Sequence, residues 1–202
     1  MVILIKNIFV MKRLLLILIL TFSFQTLTKA DDIRDFEIEG MSIGDSLLNY
    51  INKNDIKDQK LNYFTDKRKY YVIGIFDDLK FFDQVEIYLK SNDNDYQIKT
   101  IAGMIKIENL KACLSKKKEI IEDINVLFLN TVKDTAVKSN EFDKTGKSKQ
   151  YVDQYVFNMD NHIRVECMQW SEKMKNKNGF TNTLNLVVMT DEISRWINRG
   201  YK

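Results

Sequence analysis

Three side chains hold most of the reactive chemistry in this 202-residue sequence: Cys113 and Cys167, its only cysteines, and His162, its only histidine. An imidazole-activated nucleophile, or zinc held by imidazole and thiolates, would have to pass through His162. Cys167 lies five residues beyond His162 in what reads as one strand, and an odd separation sends the two side chains to opposite faces. That argues against a cysteine–histidine dyad. No close Cys-x-x-Cys spacing is present either, so no metal and no cofactor is implied, and His162 reads as an exposed strand or turn residue.

The cysteines read as a pair. Cys113 shares a helical face with Leu110, Ile120 and Ile124, and Cys167 shares a strand face with Ile163 and Val165. Two inward thiols are expected to join in an oxidising compartment, the alternative being two reduced thiols packed as small hydrophobes. The remaining motifs are weaker. Gly146-Lys147-Ser148 lacks the second glycine of a phosphate loop, because Glu141 stands in its place. Asp93 and Asp95 lack the glycine and the terminal glutamate of a calcium loop, since Ile98 and Met104 occupy those positions, and they read as a hairpin turn. Tyr151, Asp153, Tyr155 and Phe157 alternate onto one strand face, with Met168 and Trp170 on one side of the next strand. The aromatics Tyr151, Tyr155, Phe157 and Trp170 form a binding surface for a sugar or peptide if exposed, and core if buried; strand-period aromatics favour core.

The compartment follows from the leader. Met11-Lys12-Arg13 precedes the almost wholly apolar Leu14 to Phe24, and Thr28 and Ala30 provide small residues ahead of Asp31. A basic start, an apolar run and a small-residue cleavage motif predict a signal peptide over 1–30, translated from Met11 or with a long basic region, and cut after Ala30. Lys6, Lys12 and Arg13 break the apolar stretch into runs too short to span a bilayer, so no stable membrane anchor is expected after cleavage. The product is expected to be periplasmic or secreted, as one domain over 31–202.

Charge changes with cleavage. The whole chain carries +3, but Lys6, Lys12, Arg13 and Lys29 all lie in the leader, which holds no acid; 27 cations against 28 acids leave the mature chain at −1. Nucleic-acid binding needs a cationic surplus that is absent here. The lysine clusters at 116–118, 144–149 and 173–177 are interleaved with acids or fall in loops, and read as solvated faces.

These residues must be positioned by an α+β domain. Ser42 and Asp45 have capping-box spacing ahead of Ile43, Leu47, Leu48 and Ile51, predicting a helix from Ile43. Tyr70–Phe76, Phe82–Lys90 and Tyr96–Ile107 read as strands, with Val85, Ile87 and Leu89 on one face and a bulge near Thr100. A helix over Leu110–Asn130 turns Leu110, Cys113, Leu114, Ile120, Ile121, Ile124, Leu127 and Phe128 inward. A loop over Lys138–Gln150 leads to strands at Tyr151–Met159, His162–Trp170 and Asn182–Met189. Thr190 then caps a helix with Ile193, Trp196 and Ile197 inward, stopping near Gly200. The order α-β-β-β-α-β-β-β-α implies antiparallel sheet, in one piece or two, with helices packed on one face.

Several segments carry a resemblance: Gly40-Met41-Ser42-Ile43-Gly44-Asp45-Ser46-Leu47-Leu48, Phe82-Asp83-Gln84-Val85, Ile101-Ala102-Gly103, Asp143-Lys144-Thr145-Gly146-Lys147-Ser148, and one cysteine in each half. In these the chain resembles uncharacterised signal-peptide-bearing small proteins of AT-rich marine bacteria. The resemblance implies export and an α+β fold, and no activity. The Gly-Met-Ser start is also similar to that of small outer-membrane assembly lipoproteins, whose lipid-acceptor cysteine has no counterpart near Ala30. The functional expectation is a non-enzymatic periplasmic module binding an envelope protein or a small ligand; the alternative is a hydrolase using two converging carboxylates.

Overall fold

The computed structural model describes residues 32–63, 69–128, 131–157 and 161–198; the expected leader over 1–30 and the expected helix stop near Gly200 lie outside them. The chain is α+β. Its elements are β1 (Glu37–Ile38), β2 (Met41–Ser42), α1 (Lys53–Asp58), β3 (Lys60–Leu61), β4 (Tyr70–Ile75), β5 (Gln84–Lys90), β6 (Ile98–Lys106), α2 (Leu110–Leu127), β7 (Val132–Ser139), β8 (Lys149–Val156), β9 (His162–Gln169), α3 (Glu172–Asn178), β10 (Thr183–Met189) and α4 (Asp191–Asn198). Strands β3 to β10 form one eight-stranded sheet in the order β3-β4-β5-β6-β10-β9-β8-β7, antiparallel throughout. The two strand passages share this single sheet because β10 lies against β6, from Thr183 opposite Lys106 to Met189 opposite Thr100.

Alternation along the strands builds the core. Val85, Ile87 and Leu89, with Ile101, Leu186, Val188, Ile163, Val165 and Cys167, are buried on one sheet face. The predicted bulge is present: Tyr88 faces Thr100 and Leu89 faces Ile98, so Lys99 is the extra residue that restores the apolar phase of β6. Helix α2 crosses this face, its first turn capped by Asn109, whose side chain accepts from the Ala112 amide at 3.0 Å. Residues of the opposite parity, Ala102, Val187 and Met189, make a second, smaller cluster with Tyr70, Ile193 and Trp196. Helix α4 therefore covers the other side of the sheet, and the helices are divided between both faces.

Other expectations are corrected. No α-helix starts at Ile43. The Asp45 carboxylate does return to the Ser42 amide at 2.9 Å, but the Gly44 and Leu47 amides donate to Ile98 and Tyr96 carbonyls, and the Ile98 amide donates to the Asp45 carbonyl. Backbone groups that a helix would need are spent on the start of β6. Only a 3-10 turn at Leu47–Asn49 forms, and α1 begins later, capped by Asn52. Along α2, Cys113 and Ile124 are buried, whereas Leu114 and Leu127 face solvent and Lys117 is buried in their stead. The Thr190 hydroxyl caps nothing; the Asn161 side chain accepts the Asp191 amide at 3.0 Å.

Candidate functional site

Cys113 and Cys167 form a disulfide, with Cα atoms 5.9 Å apart, bonding α2 to β9 across the main core. No free cysteine remains. His162 opens β9 opposite Met189 and Val156 and is 4% exposed, not the exposed residue expected from sequence. It stands on the face of β9 opposite to Cys167, because strand parity separates them.

The four aromatics of the expected binding surface divide. Tyr155 is 1% exposed and donates its hydroxyl to the Asn125 side chain of α2 at 2.7 Å. Phe157 meets Phe128 edge-on with ring centroids 4.8 Å apart, and Tyr151 packs partly buried against the same core. Trp170 stands past the end of β9, its ring 4.3 Å from that of Phe180. The structure thus gathers Tyr151, Tyr155 and Phe157 beneath α2 and leaves Trp170 apart from them.

Among these aromatics sits a charge cluster that no motif announced. Asp153 is buried on β8, and its carboxylate meets Lys117 of α2 at 2.5 Å, Lys133 of β7 at 3.0 Å and the Thr135 hydroxyl at 2.7 Å. Lys117 also donates to the Tyr151 carbonyl at 2.8 Å. The arrangement ties α2, β7 and β8 together, and every polar atom in it is engaged.

The loop holding Gly146-Lys147-Ser148 encloses an anion of its own. The Asp143 carboxylate accepts from the Ser148 hydroxyl (2.6 Å) and amide (3.0 Å), the Thr145 hydroxyl (2.7 Å) and amide (3.0 Å), and the Ser171 hydroxyl (2.8 Å). These donors, Ser148 foremost, hold the Asp143 carboxyl well below the ordinary aspartate range. A carboxylate thus fills the position that a phosphate would need. Asp93 serves the β5–β6 turn as read from sequence, accepting the Asp95 and Gln97 amides at 3.0 Å each.

Two buried carboxylates, Glu86 and Glu166, share the sheet face opposite to α2, but they do not converge. Glu86 is in register with Ala102, then Val187, then Arg164, so β5 and β9 are three strand spacings apart, about 14 Å. Glycosidic bond cleavage by a carboxylate pair needs roughly 5 to 9.5 Å. Glu166 is engaged by Arg164 at 3.3 Å and by the Asn185 side chain at 3.1 Å.

A concave site does exist at the β3 end of the sheet. A cavity of about 330 Å³ lies between Lys60, Leu61 and Asn62 of the β3 segment, Tyr71 of β4, and the turn Ser91–Tyr96. The turn is shaped by left-handed backbone at Asn92 (φ 65°) and Tyr96 (φ 51°) and is tied down by the Ser91 amide on the Lys69 carbonyl at 2.8 Å. Lys60 Nζ lies 4.2 Å from the Tyr71 ring centroid, and Lys53 Nζ lies 5.6 Å from that of Tyr96. Burial, then the neighbouring Tyr96 and Asp93, push the Tyr71 hydroxyl up to about 12, so it stays a neutral donor. The turn residues are legible in the sequence but the cavity is not, because its walls come from three separate segments.

Among the described residues, no group of three or more His, Cys, Asp or Glu side chains is placed to hold a metal, and no helix is long and apolar enough to cross a membrane. No protein-family model, no curated protein and no solved structure matches this chain.

Proposed function

We propose that this chain is an exported binding module, periplasmic or secreted, that holds a small polar ligand in the cavity between β3, Tyr71 and the β5–β6 turn. The carrying observation is the composition of that concavity: two tyrosines supply flat apolar surface with polar tips, and Asn62, Asn94 and Ser91 supply amide and hydroxyl groups around them. A ligand rich in hydroxyls, a saccharide of one or two rings, matches this mixture and the cavity size. Export is supported by the leader and by the disulfide, which suits an oxidising compartment. The hydrolase reading gains no support from Glu86 and Glu166, which stand too far apart to share one bond.

The test is a binding titration of the mature chain with a panel of mono- and disaccharides, followed by amide chemical shifts. Saturable shifts confined to 60–62, 71 and 91–97 are expected, and Tyr71→Ala is expected to weaken binding at least about tenfold, the loss of one aromatic contact of about 1.5 kcal/mol. Saturable binding that maps elsewhere, or none across the panel, would overturn the assignment of this cavity. Intact-mass measurement of protein recovered from its host tests export separately, with a chain beginning at Asp31 and two fewer hydrogens as the expected species.

A further inference from the structure

The two edges of the sheet are unlike. At one end β3 is two residues long; at the other, β7 runs eight residues from Val132 to Ser139. Every side chain of β7 except Ala136 is exposed, Val132 at 71% and Val137 at 63%, so neither face of this strand is covered. An edge strand of this length presents a row of outward backbone donors and acceptors, and charged residues ordinarily guard it against pairing. Here the charges are Lys133, Asp134 and Lys138. Lys133 is turned inward onto Asp153. Asp134 and Lys138 share the other face of β7 and make no ion pair among the described residues.

We propose that two copies of this chain pair antiparallel through β7, in the register that sets Ala136 opposite the partner's Ala136. In that register Asp134 stands opposite the partner's Lys138, and the two-fold axis repeats the pair, giving two cross-strand ion pairs from one self-complementary pattern. Thr135 then faces the partner's Val137, also twice. The neighbouring registers lack this. Centring between Thr135 and Ala136 would oppose residues that point to different faces, as Lys133 and Lys138 do, which two-fold antiparallel pairing does not allow; centring on Thr135 sets Asp134, and centring on Val137 sets Lys138, against an alanine. The charges that guard the edge against other strands therefore select this one. The pairing continues the sheet from one protomer into the next and leaves the β3 cavity, at the far edge, open.

Sedimentation equilibrium of the mature chain across micromolar to millimolar concentrations tests the proposal, using Asp134→Lys and Lys138→Asp. Both positions are exposed, and thermal melts of the variants verify that they fold. The wild-type chain is expected to reach a dimer; each single variant alone places like charges opposite one another and raises the dissociation constant at least about tenfold. An equimolar mixture of the two variants restores both ion pairs and forms the heterodimer, and the double variant D134K/K138D forms a homodimer again. A wild-type chain that stays monomeric over the whole range, single variants that dimerise as well as wild type, or variants that fail to pair when mixed would each overturn it.

Discussion

The Lys117 ammonium of α2 stands 2.5 Å from the Asp153 carboxylate of β8, and both side chains are less than a tenth exposed. The two partners are not equivalent. Without Lys117, Asp153 keeps Lys133 and Thr135; without Asp153, Lys117 keeps, among the described residues, only the Tyr151 carbonyl and becomes a buried, uncompensated cation. Asp153→Leu is therefore expected to cost about 3–5 kcal/mol in urea denaturation, and Lys117→Met clearly less. Equal losses would refute this ordering.

The same pair sets an acid limit on stability. Burial pushes the Asp153 carboxyl up, but hydrogen bonds from Lys117, Thr135 and Lys133 outweigh it and hold the group below its ordinary value. A carboxyl depressed in the fold contributes stability that is complete above the unfolded value of about 4 and is lost as pH falls through the folded one. A stability profile of Asp153→Leu that falls in acid as steeply as that of wild type would contradict this assignment.

The Cys113–Cys167 bond joins residues 54 apart in sequence. Chain entropy assigns such a cross-link about 4 kcal/mol through the unfolded state. Cys113→Ala with Cys167→Ala is expected to lower the denaturation free energy by about that amount, and reductant should bring the wild-type chain to the same level. A loss under about 1 kcal/mol in both experiments would mean that the unfolded chain gains little freedom when the bond is absent.

What the sequence made legible is what alternation and helical spacing encode. Val85, Ile87 and Leu89 are buried together, the bulge falls beside Thr100, and the cysteines meet because the helix and strand that carry them each have one apolar side. Strand β7 was not legible as part of the core sheet, since Val132-Lys133-Asp134-Thr135-Ala136-Val137-Lys138-Ser139 has neither face buried and so no alternation to read. The Ile43–Ile51 segment shows the converse: Ile43 and Leu47 are buried at helical spacing, yet Gly44 and Asp45 between them bond to Ile98 at the start of β6, and the Leu47 amide donates to the Tyr96 carbonyl just before it. Lys117 was hidden for a third reason, because a cation in mid-helix reads as solvated until its partner from β8 is known. The cavity walls, drawn from three segments, leave no local pattern at all.

Gly103 lies in β6 between Val85 and Leu186, where a Cβ would come within 2.5 Å of the Phe82 ring. Phe82 packs against the main core and its amide donates to the Glu39 carboxylate at 3.2 Å, so the ring has little room to retreat. Gly103→Ala is expected to cost about 1–3 kcal/mol, partly recovered by Phe82→Leu. At Gly74 the obstacle is the exposed ring of Phe76, 2.8 Å from a Cβ, with the tip of Leu61 at 2.9 Å. Both are free to swing, so Gly74→Ala should cost less than Gly103→Ala under the same conditions.

Glu86 tests the other sheet face. Its carboxylate is buried and, among the described residues, accepts from neutral donors only, the Tyr63 hydroxyl at 2.7 Å and the Gln84 amide at 2.8 Å. Burial pushes the carboxyl up, and these two hydrogen bonds pull it only part of the way back, so the group titrates above the ordinary glutamate value. Burial and then the Glu86 bond push the Tyr63 hydroxyl up to about 12, so it remains a donor near neutrality. The sign is opposite to that of Asp153. A carboxyl raised in the fold carries no penalty below the unfolded value of about 4.3, and costs stability as pH rises through the folded value. Glu86→Gln keeps an oxygen for Tyr63 and removes the charge, so it should stabilise the chain near neutrality by a margin that shrinks towards pH 4. Chemical denaturation at the two ends of that range decides the matter: a gain of the same size at both, or a loss near neutrality, would mean that burial does not govern this carboxyl.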